Sequence, residues 1–299
     1  MGIETTYQFS KTEWIIRKLG DLKQLVKFRL TLTVVFSSAM GYAFALRSTL
    51  NWSEFLLFML GGFLVAGAAN ALNEIIEKDL DKLMKRTALR PLPSDRMSIV
   101  EAILAAGIFS VIGIFILTWF FNPLTGIIGA VSMLTYAFIY TPLKRISNIA
   151  VFVGAIPGAL PPVIGWVAVT GHFGFGAMLL FSIQFLWQFP HFWSIAWLSF
   201  DDYKAAGFNL LPSDSGKSKN SAFYNIVYIV TLIPVSILPW IFGLSGLVSL
   251  LVVITSGLFF LWLALNLFQK LSESAARKLL FGSLFYLPVV LLALILDKI

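Results

Sequence analysis

Residues 55–91 read Phe55-Leu-Leu-Phe-Met-Leu-Gly-Gly-Phe-Leu-Val-Ala-Gly-Ala-Ala-Asn-Ala-Leu-Asn73, then Glu74-Ile-Ile-Glu77-Lys-Asp79-Leu-Asp81-Lys-Leu-Met-Lys85-Arg86-Thr-Ala-Leu-Arg90-Pro91. Nineteen residues without a charge give way to eighteen of which nine are charged. Crossing the hydrocarbon core of a bilayer takes about 20 mostly apolar residues. The first part is therefore one membrane crossing, and the second is the loop that emerges from it.

The same alternation runs through the 299-residue chain. Nine apolar stretches are long enough to cross: Leu30 to Leu46, Phe55 to Asn73, Ile99 to Trp119, Pro123 to Tyr140, Asn148 to Val169, Gly174 to Phe200, Ala222 to Phe242, Leu247 to Phe268 and Leu279 to Ile295. Apolar residues make up 58% of the chain and charged residues 12%, with a mean hydropathy of +0.86. A soluble domain is about a quarter charged. The fold class is all-α, a polytopic transmembrane bundle of nine helices forming one membrane domain over residues 30–299. Several spans are as rich in Gly and Ala as in Leu, which lets helices approach closely.

Charge sets the orientation. With the N-terminus inside, the inside segments hold six Lys and Arg before span one and six after span two. They hold two after span four, three after span six and three after span eight, twenty of the 22 in all. Only Arg47 and Lys298 fall outside. Cytoplasmic loops carry the excess of Lys and Arg, so the N-terminus is expected in the cytoplasm and the C-terminus outside. The net charge of +7 then reflects topology, and no nucleic-acid partner is expected. Residues 1–29 form a cytoplasmic or interfacial lead-in with no signal-peptide pattern. Ile15, Leu19, Leu22 and Val26 recur at helical spacing there, which suits a helix on the membrane surface; a solvated lead-in fits as well. With no cysteine, disulfides and thiolate chemistry are excluded.

Asn73, Glu77 and Asp81 recur at i, i+4 and i+8. If the helix continues beyond the membrane, all three project from one face. Hard oxygen donors at that spacing suit Mg²⁺, which takes one or two carboxylates and completes its shell with water and substrate phosphate. Arg86 and Arg90, with Lys85 beside them, can grip phosphate oxygens. A solvated loop helix laced by Glu–Lys pairs is the open alternative. After span six, Asp201-Asp202-Tyr203-Lys204 forms a second acidic cluster on the same membrane face. Two carboxylate groups meeting at one end of an apolar bundle could hold metal ions astride a diphosphate, although an Asp-Asp pair is often just a turn. Tyr140-Thr-Pro142-Leu-Lys144-Arg145 adds two cations to that end.

Span five holds Gly154, Pro157, Gly158, Pro161, Pro162 and Gly165. So many helix breakers are tolerated only where the freed backbone faces protein or a cavity. Span six holds Gln188 and His191 among Trp187, Phe189, Phe192, Trp193 and Trp197. An ionisable residue inside a span is by default a functional candidate. Imidazole in an aromatic wall suits a flat conjugated ligand, a metal centre or a proton relay, against a plain hydrogen bond to nearby backbone. His172, in an outside loop, is assigned nothing.

These residues carry a resemblance. The Asn73, Glu77, Asp81 motif, the second Asp cluster four spans later and the nine spans resemble the intramembrane aromatic prenyltransferase superfamily. Lys85-Arg86-Thr87 with Arg90-Pro91-Leu92, the Tyr140–Arg145 string, Gly154-Ala-Ile-Pro-Gly-Ala-Leu-Pro-Pro-Val-Ile-Gly-Trp166, Trp187-Gln-Phe-Pro-His-Phe-Trp193 and Asp202-Tyr-Lys-Ala-Ala-Gly207 with Leu211-Pro212 are similar to its heme-farnesylating branch. The likeness runs from about Lys27 to past Pro212; the last three spans carry little signature. It implies a Mg²⁺-dependent enzyme of the bacterial inner membrane, with its mouth on the cytoplasmic side. The reaction implied is farnesyl diphosphate, heme B and water giving heme O and diphosphate. A downstream heme-modifying enzyme or terminal oxidase would be a partner, and membrane lipid the solvent. Asn73, Glu77 and Asp81 fall on the family's first metal motif, and Asp201 and Asp202 in the region of the second. Lys85, Arg86, Arg90, Lys144 and Arg145 fall to the diphosphate. The family's usual middle acid is Asp, whereas Glu77 here keeps the carboxylate on a longer arm. Lys27-Phe28-Arg29 stands where Lys-Pro-Arg is usual. His191, with Trp187 and Trp193, is expected to position the heme, through iron or a propionate.

Rival readings make different demands. A sibling enzyme acting on a quinone precursor or another tetrapyrrole should lack the Trp187–Trp193 and Gly154–Trp166 strings. A transporter places its polar groups near the bilayer midplane, whereas these acids crowd one face. A non-catalytic assembly factor for a heme protein needs no metal-ligand spacing.

Overall fold

A computed structural model describes residues 11–299, so the first ten residues of the expected lead-in lie outside the described residues. The helices are α1 (Lys11–Leu25), α2 (Phe28–Ala45), α3 (Trp52–Asp81), α4 (Ile99–Ile116), α5 (Pro123–Leu134), the single turn α6 (Thr141–Leu143), α7 (Ala150–Thr170), α8 (Phe175–Leu198), the short α9 (Phe200–Ala205), α10 (Lys219–Ile241), α11 (Leu247–Lys270) and α12 (Glu273–Leu296). Wider π-type turns extend α4 through Leu117–Phe121 and α5 through Thr135–Tyr140. Among the described residues there is no strand, only one isolated bridge between Ser245 and Lys298.

Polar residues at the helix ends set these boundaries. Asn51 accepts from the backbone N–H groups of Ser53 and Glu54 at the start of α3. Ser98 and Glu101 form a reciprocal capping box on α4, and Asn122 with Pro123 opens α5. Such caps satisfy donors that a helix start leaves unbonded. At the end of α7, Gly171 takes the left-handed turn at φ 74° that glycine adopts without steric cost.

Among the described residues eight helices are long and apolar enough to cross a membrane: α2, α3, α4 and α5 with their extensions, α7, α10, α11 and α12. The helix predicted as span six, α8, has 24 residues but carries Gln184, Gln188, Pro190 and His191, which lower its hydropathy. It packs between α7, α10 and α12, so those polar groups face the interior of the bundle. Outward faces are apolar in compensation: Val111 and Trp119 of the α4 rod are 70% and 75% exposed. Such a surface fits lipid rather than water.

Close packing centres on α7. A side chain at Gly41 of α2 would put its Cβ 1.9 Å from the Pro162 carbonyl oxygen, and one at Gly165 would put it 2.0 Å from the Ser38 oxygen. Without those side chains, α2 and α7 meet backbone to backbone. The prolines of α7 do not break it. Pro161 and Pro162 each deprive the carbonyl four residues earlier of its partner, leaving Pro157 and Gly158. Ser132 Oγ donates to the Pro157 oxygen at 3.1 Å, and Gln184 Nε2 donates to the Gly158 oxygen at 2.7 Å. The freed backbone faces protein, as the sequence requires.

The chain folds up and down, so one end of the bundle collects the segments before α2 and after α3, α5 and α8. Lys27, Asn73, Thr141 and Tyr203 lie there. The opposite end is tied by Lys298, whose Nζ donates to the oxygen of Ala43 at 2.9 Å and also to that of Leu46.

Candidate active site

Helix α3 runs past the apolar stretch to Asp81, so Asn73, Glu77 and Asp81 do share one face. They are 1%, 4% and 1% exposed, and Glu74 beside them is 0% exposed. Asn73 is the hub. Its Nδ2 donates to Glu77 Oε2 and to Thr141 Oγ1, both at 3.0 Å, and its Oδ1 accepts from Lys27 Nζ at 2.6 Å. Thr141 in turn donates to the Tyr136 carbonyl at 2.9 Å.

Cations hold these acids in place. Arg90 donates to Asp81 Oδ2 at 2.8 Å and lies 3.5 Å from Glu74 Oε1. Lys144 pairs with Glu77 Oε1. Burial, reinforced by the nearby Arg90, pulls the Lys27 ammonium down to about 8. Buried carboxylates are tolerated only when paired, and here the pairing is incomplete. Glu74 Oε2 and Asp81 Oδ1 are buried with neither a hydrogen bond nor an ion pair among the described residues.

That orphaned set bears on a metal. Among the described residues no three acidic or histidine side chains cluster closely enough to enclose an ion by themselves. Mg²⁺ does not need such a cage, since one or two carboxylates with water and phosphate suffice. The unpaired Asp81 Oδ1, the remaining lone pairs of the Glu77 carboxylate and the second lone pair of Asn73 Oδ1 are the hard donors it takes.

The second acidic cluster lies at the same end but is not joined to the first. Asp201 is exposed and Asp202 half-buried, and neither carboxylate forms a hydrogen bond or ion pair with a described residue. Their neighbour makes the link: Arg86 donates to Tyr203 Oη at 3.3 Å with its guanidinium 5.5 Å from that ring's centroid. Lys144 sits 5.3 Å from the Phe208 ring. Lys85 and Arg145 are exposed and form neither bond. The five predicted phosphate-gripping cations thus divide. Arg90 and Lys144 are spent on the acids, Arg86 spans the two loops, and Lys85 and Arg145 stand exposed at the rim with no ion pair to a described residue.

Inward from this cluster lies a cavity of about 750 Å³, within the range of small-molecule sites. Its lining includes Arg29, Ser37, Val65, Asn70, Tyr136, Tyr140, Gly158, Gln184, Trp187, Gln188, His191 and Leu284. The wide turn at Thr135–Tyr140 brings both Tyr136 and Tyr140 to it; such turns recur at functional sites. Glycine is required at 154 and 158, where a Cβ would strike the Tyr140 ring at 2.5 Å and Gln188 Oε1 at 2.0 Å.

The ring of His191 stacks on Trp187 at 4.7 Å between centroids and 18° between planes. Trp187 Nε1 donates to the Ser283 carbonyl at 2.7 Å. Trp193 does not join them. It is buried against Phe189, Tyr224 and Tyr228, away from the cavity lining. Lys27, Arg29, Glu74, Thr141 and Tyr136 belong to this site and were not singled out from sequence. Glu74 carried one available signal, an acid one residue off the i, i+4 stripe.

The family model described as the UbiA prenyltransferase family matches residues 34–287. The chain belongs to the UbiA prenyltransferase family. Among its curated relatives, a protoheme IX farnesyltransferase of Cytophaga hutchinsonii is 48% identical over 276 residues, 92% of this chain and 96% of that protein. A protoheme IX farnesyltransferase of Christiangramia forsetii is 44% identical, covering 94% of each chain. Solved structures share the fold. A digeranylgeranylglyceryl phosphate synthase structure superposes with a TM-score of 0.76 at 21% identity, over 94% of this chain and 98% of that one. A UbiA homolog from Archaeoglobus fulgidus bound to DMAPP and Mg²⁺ superposes at 0.67 with 13% identity, over 92% and 99%. As a UbiA prenyltransferase the chain is an integral, multi-pass membrane protein.

Proposed function

We propose that this UbiA prenyltransferase transfers the farnesyl group of farnesyl diphosphate to a vinyl group of heme B with addition of water, giving heme O and diphosphate. The observation that carries the reading is one juxtaposition. A buried acid face with unsatisfied carboxylate oxygens stands at the end of a mostly apolar cavity whose wall presents His191 stacked on Trp187. High identity to proteins named protoheme IX farnesyltransferase supports heme over other acceptors.

Asn73, Glu77 and Asp81 hold Mg²⁺ in this reading, with Asp201 or Asp202 completing the grip from the second loop. When bound, the ion supplies neutralisation of the charge that develops on the leaving diphosphate. Arg86, Lys85 and Arg145 add donors at the rim. Arg90 and Lys144, which pair with Asp81 and Glu77, would be the cations next to the diphosphate.

The allylic carbon–oxygen bond breaks with its electron pair leaving on the diphosphate. The vinyl π pair forms the new carbon–carbon bond, and water captures the cation left beside the macrocycle, releasing a proton. Val65, Leu117, Met133, Leu284 and Leu287 line the cavity and keep other water from the allylic cation. No protein nucleophile is called for.

In this reading α8 is the sixth of nine crossings, the N-terminus is cytoplasmic, and the acid-bearing mouth opens at the cytoplasmic face of the inner membrane. The test is to incubate purified protein with farnesyl diphosphate, heme B and Mg²⁺ and to follow pigment mass. A mass gain of one farnesyl group plus one hydroxyl group is expected. Unchanged heme from folded protein overturns the reading.

A further inference from the structure

Behind the cavity wall, His191 Nδ1 lies 2.8 Å from Ser283 Oγ on α12. The same hydroxyl lies 2.6 Å from the Leu280 carbonyl oxygen. A serine hydroxyl has one proton to give, and a carbonyl oxygen can only accept. Both contacts are hydrogen bonds only if Ser283 donates to Leu280 and accepts from a proton on His191 Nδ1. The opposite assignment leaves two lone-pair oxygens 2.6 Å apart with no proton between them.

The neutral ring is therefore the Nδ1–H tautomer, and Nε2 carries a lone pair. Two further contacts hold the plane of the ring. Trp187 stacks on it, and the Trp187 indole N–H is itself fixed to the Ser283 carbonyl; the Ser283 hydroxyl then sets which nitrogen faces α12. Ser283 is fully buried, whereas His191 lines the cavity. The nitrogen tied to α12 is thus the one spent on protein. Nε2 takes no hydrogen bond from any described residue.

A neutral imidazole that presents only a lone pair cannot donate to a carboxylate, so it suits a metal centre and not a propionate. Donating the other N–H to a second residue also raises the basicity of a ligating histidine and fixes its direction. His191 lies seven residues before the end of α8, roughly 10 Å inward along the helix at 1.5 Å per residue. We propose that Ser283 is a positioning residue that holds His191 as its Nδ1–H tautomer, so that Nε2 binds the iron of heme B. This rests on heme B being the acceptor, and it chooses iron over propionate.

The experiment has two arms. In the first, full-length protein in detergent is titrated with heme B, and the Soret and electron paramagnetic resonance spectra are recorded for wild type, His191→Ala, Ser283→Ala and Ser283→Thr. Wild type should show imidazole ligation. His191→Ala should lose it, and Ser283→Ala should weaken it with at least a tenfold drop in heme affinity. Ser283→Thr, which restores a hydroxyl, should recover most of that loss. Affinity for farnesyl diphosphate with Mg²⁺ should not change in the serine variants. A wild-type spectrum and affinity in Ser283→Ala overturn the proposal.

The second arm needs no change near the site. The chain has two histidines, so His172→Ala leaves one, and nitrogen-15 labelling of histidine reports its tautomer directly. A proton on Nδ1 is expected, and a proton on Nε2 overturns the proposal. If wild type farnesylates heme B but shows no imidazole ligation, the iron assignment falls and the farnesyltransferase reading stands. If heme B is bound through His191 but never farnesylated, the function falls and the ligand assignment stands.

Discussion

Gln184 Nε2 donates at 2.7 Å to the Gly158 carbonyl oxygen, the oxygen that Pro162, four residues on, leaves without a backbone partner. The same side chain accepts through Oε1 from Ser37 on α2. One amide thus joins three helices at the cavity wall and repairs a backbone that its own fold interrupts.

Removing that amide should cost stability in a way that depends on the proline. Gln184→Leu leaves the Gly158 oxygen unbonded in an apolar setting. Interhelical hydrogen bonds in membranes are worth about 0.6 kcal/mol on average and up to about 1.7, so a loss near the upper figure is expected. In a Pro162→Ala background the new N–H can serve Gly158, and Gln184→Leu should cost less. Thermal unfolding of the four proteins in one detergent closes this cycle. Equal costs in both backgrounds would detach Gln184 from the proline.

The α2–α7 contact should tolerate no side chain at Gly165. A Cβ there would lie 2.0 Å from the Ser38 oxygen and 2.5 Å from the Tyr42 nitrogen. Those are backbone atoms of a helix, so the helices must part. Overpacking usually costs about 1–3 kcal/mol, and Gly165→Ala should reach at least that. Because both helices line the cavity, its KM for both substrates should rise as well. Gly107, with nothing within 4 Å of its Cβ position, is the control, and Gly107→Ala should be neutral or mildly stabilising.

How far the site was legible depends on the distance over which its contacts are made. Asn73, Glu77 and Asp81 announce themselves because helical periodicity converts spacing into a shared face. Glu74 and Lys27 do not, since what recruits them is a packing partner elsewhere in the chain: Arg90 for one, Asn73 for the other. Asp201 and Asp202 were recognisable as a cluster, yet α9 is a single short helix after a turn, and spacing could not say where their carboxylates point. Trp193 is a different case. It stands two residues after His191, about 200° around the helix at 3.6 residues per turn, while Trp187 stands four before on the same face. Helical arithmetic separates the two tryptophans, and only their common motif grouped them. Ser283 was invisible because the last three spans carry no motif.

The acid face should be indispensable for turnover and sensitive to its counterions. Asp81→Ala removes a proposed metal ligand, and a loss of at least 100-fold in kcat is expected from the scale of single electrostatic contributions. Chelation of Mg²⁺ should stop wild-type turnover, and added Mg²⁺ should restore it. Arg90→Ala acts differently. It leaves Asp81 and Glu74 buried without their cation, and breaking a buried pair from one side costs about 3–5 kcal/mol. Arg90→Ala should therefore lower the unfolding temperature more than Asp81→Ala, which leaves a partly exposed Arg90 with Glu74 still beside it. Product mass and thermal unfolding, measured together, separate the two effects.

Trp187 and Trp193 should part company in one comparison. Trp187 lines the cavity and stacks on His191. Trp193 is 5% exposed and packs on Phe189, Tyr224 and Tyr228, where α8 meets α10. Trp193→Leu empties part of a packed aromatic cluster, and large-to-small changes of this kind cost roughly 2 kcal/mol or more. It should lower the unfolding temperature with little change in KM for heme B. Trp187→Leu removes the stacking surface and the donor to Ser283, so its main effect should be a rise of about tenfold in that KM. Steady-state kinetics at saturating farnesyl diphosphate, set beside unfolding of the same preparations, gives both numbers. A raised heme KM in Trp193→Leu at unchanged stability would move the binding wall to the α10 side of α8.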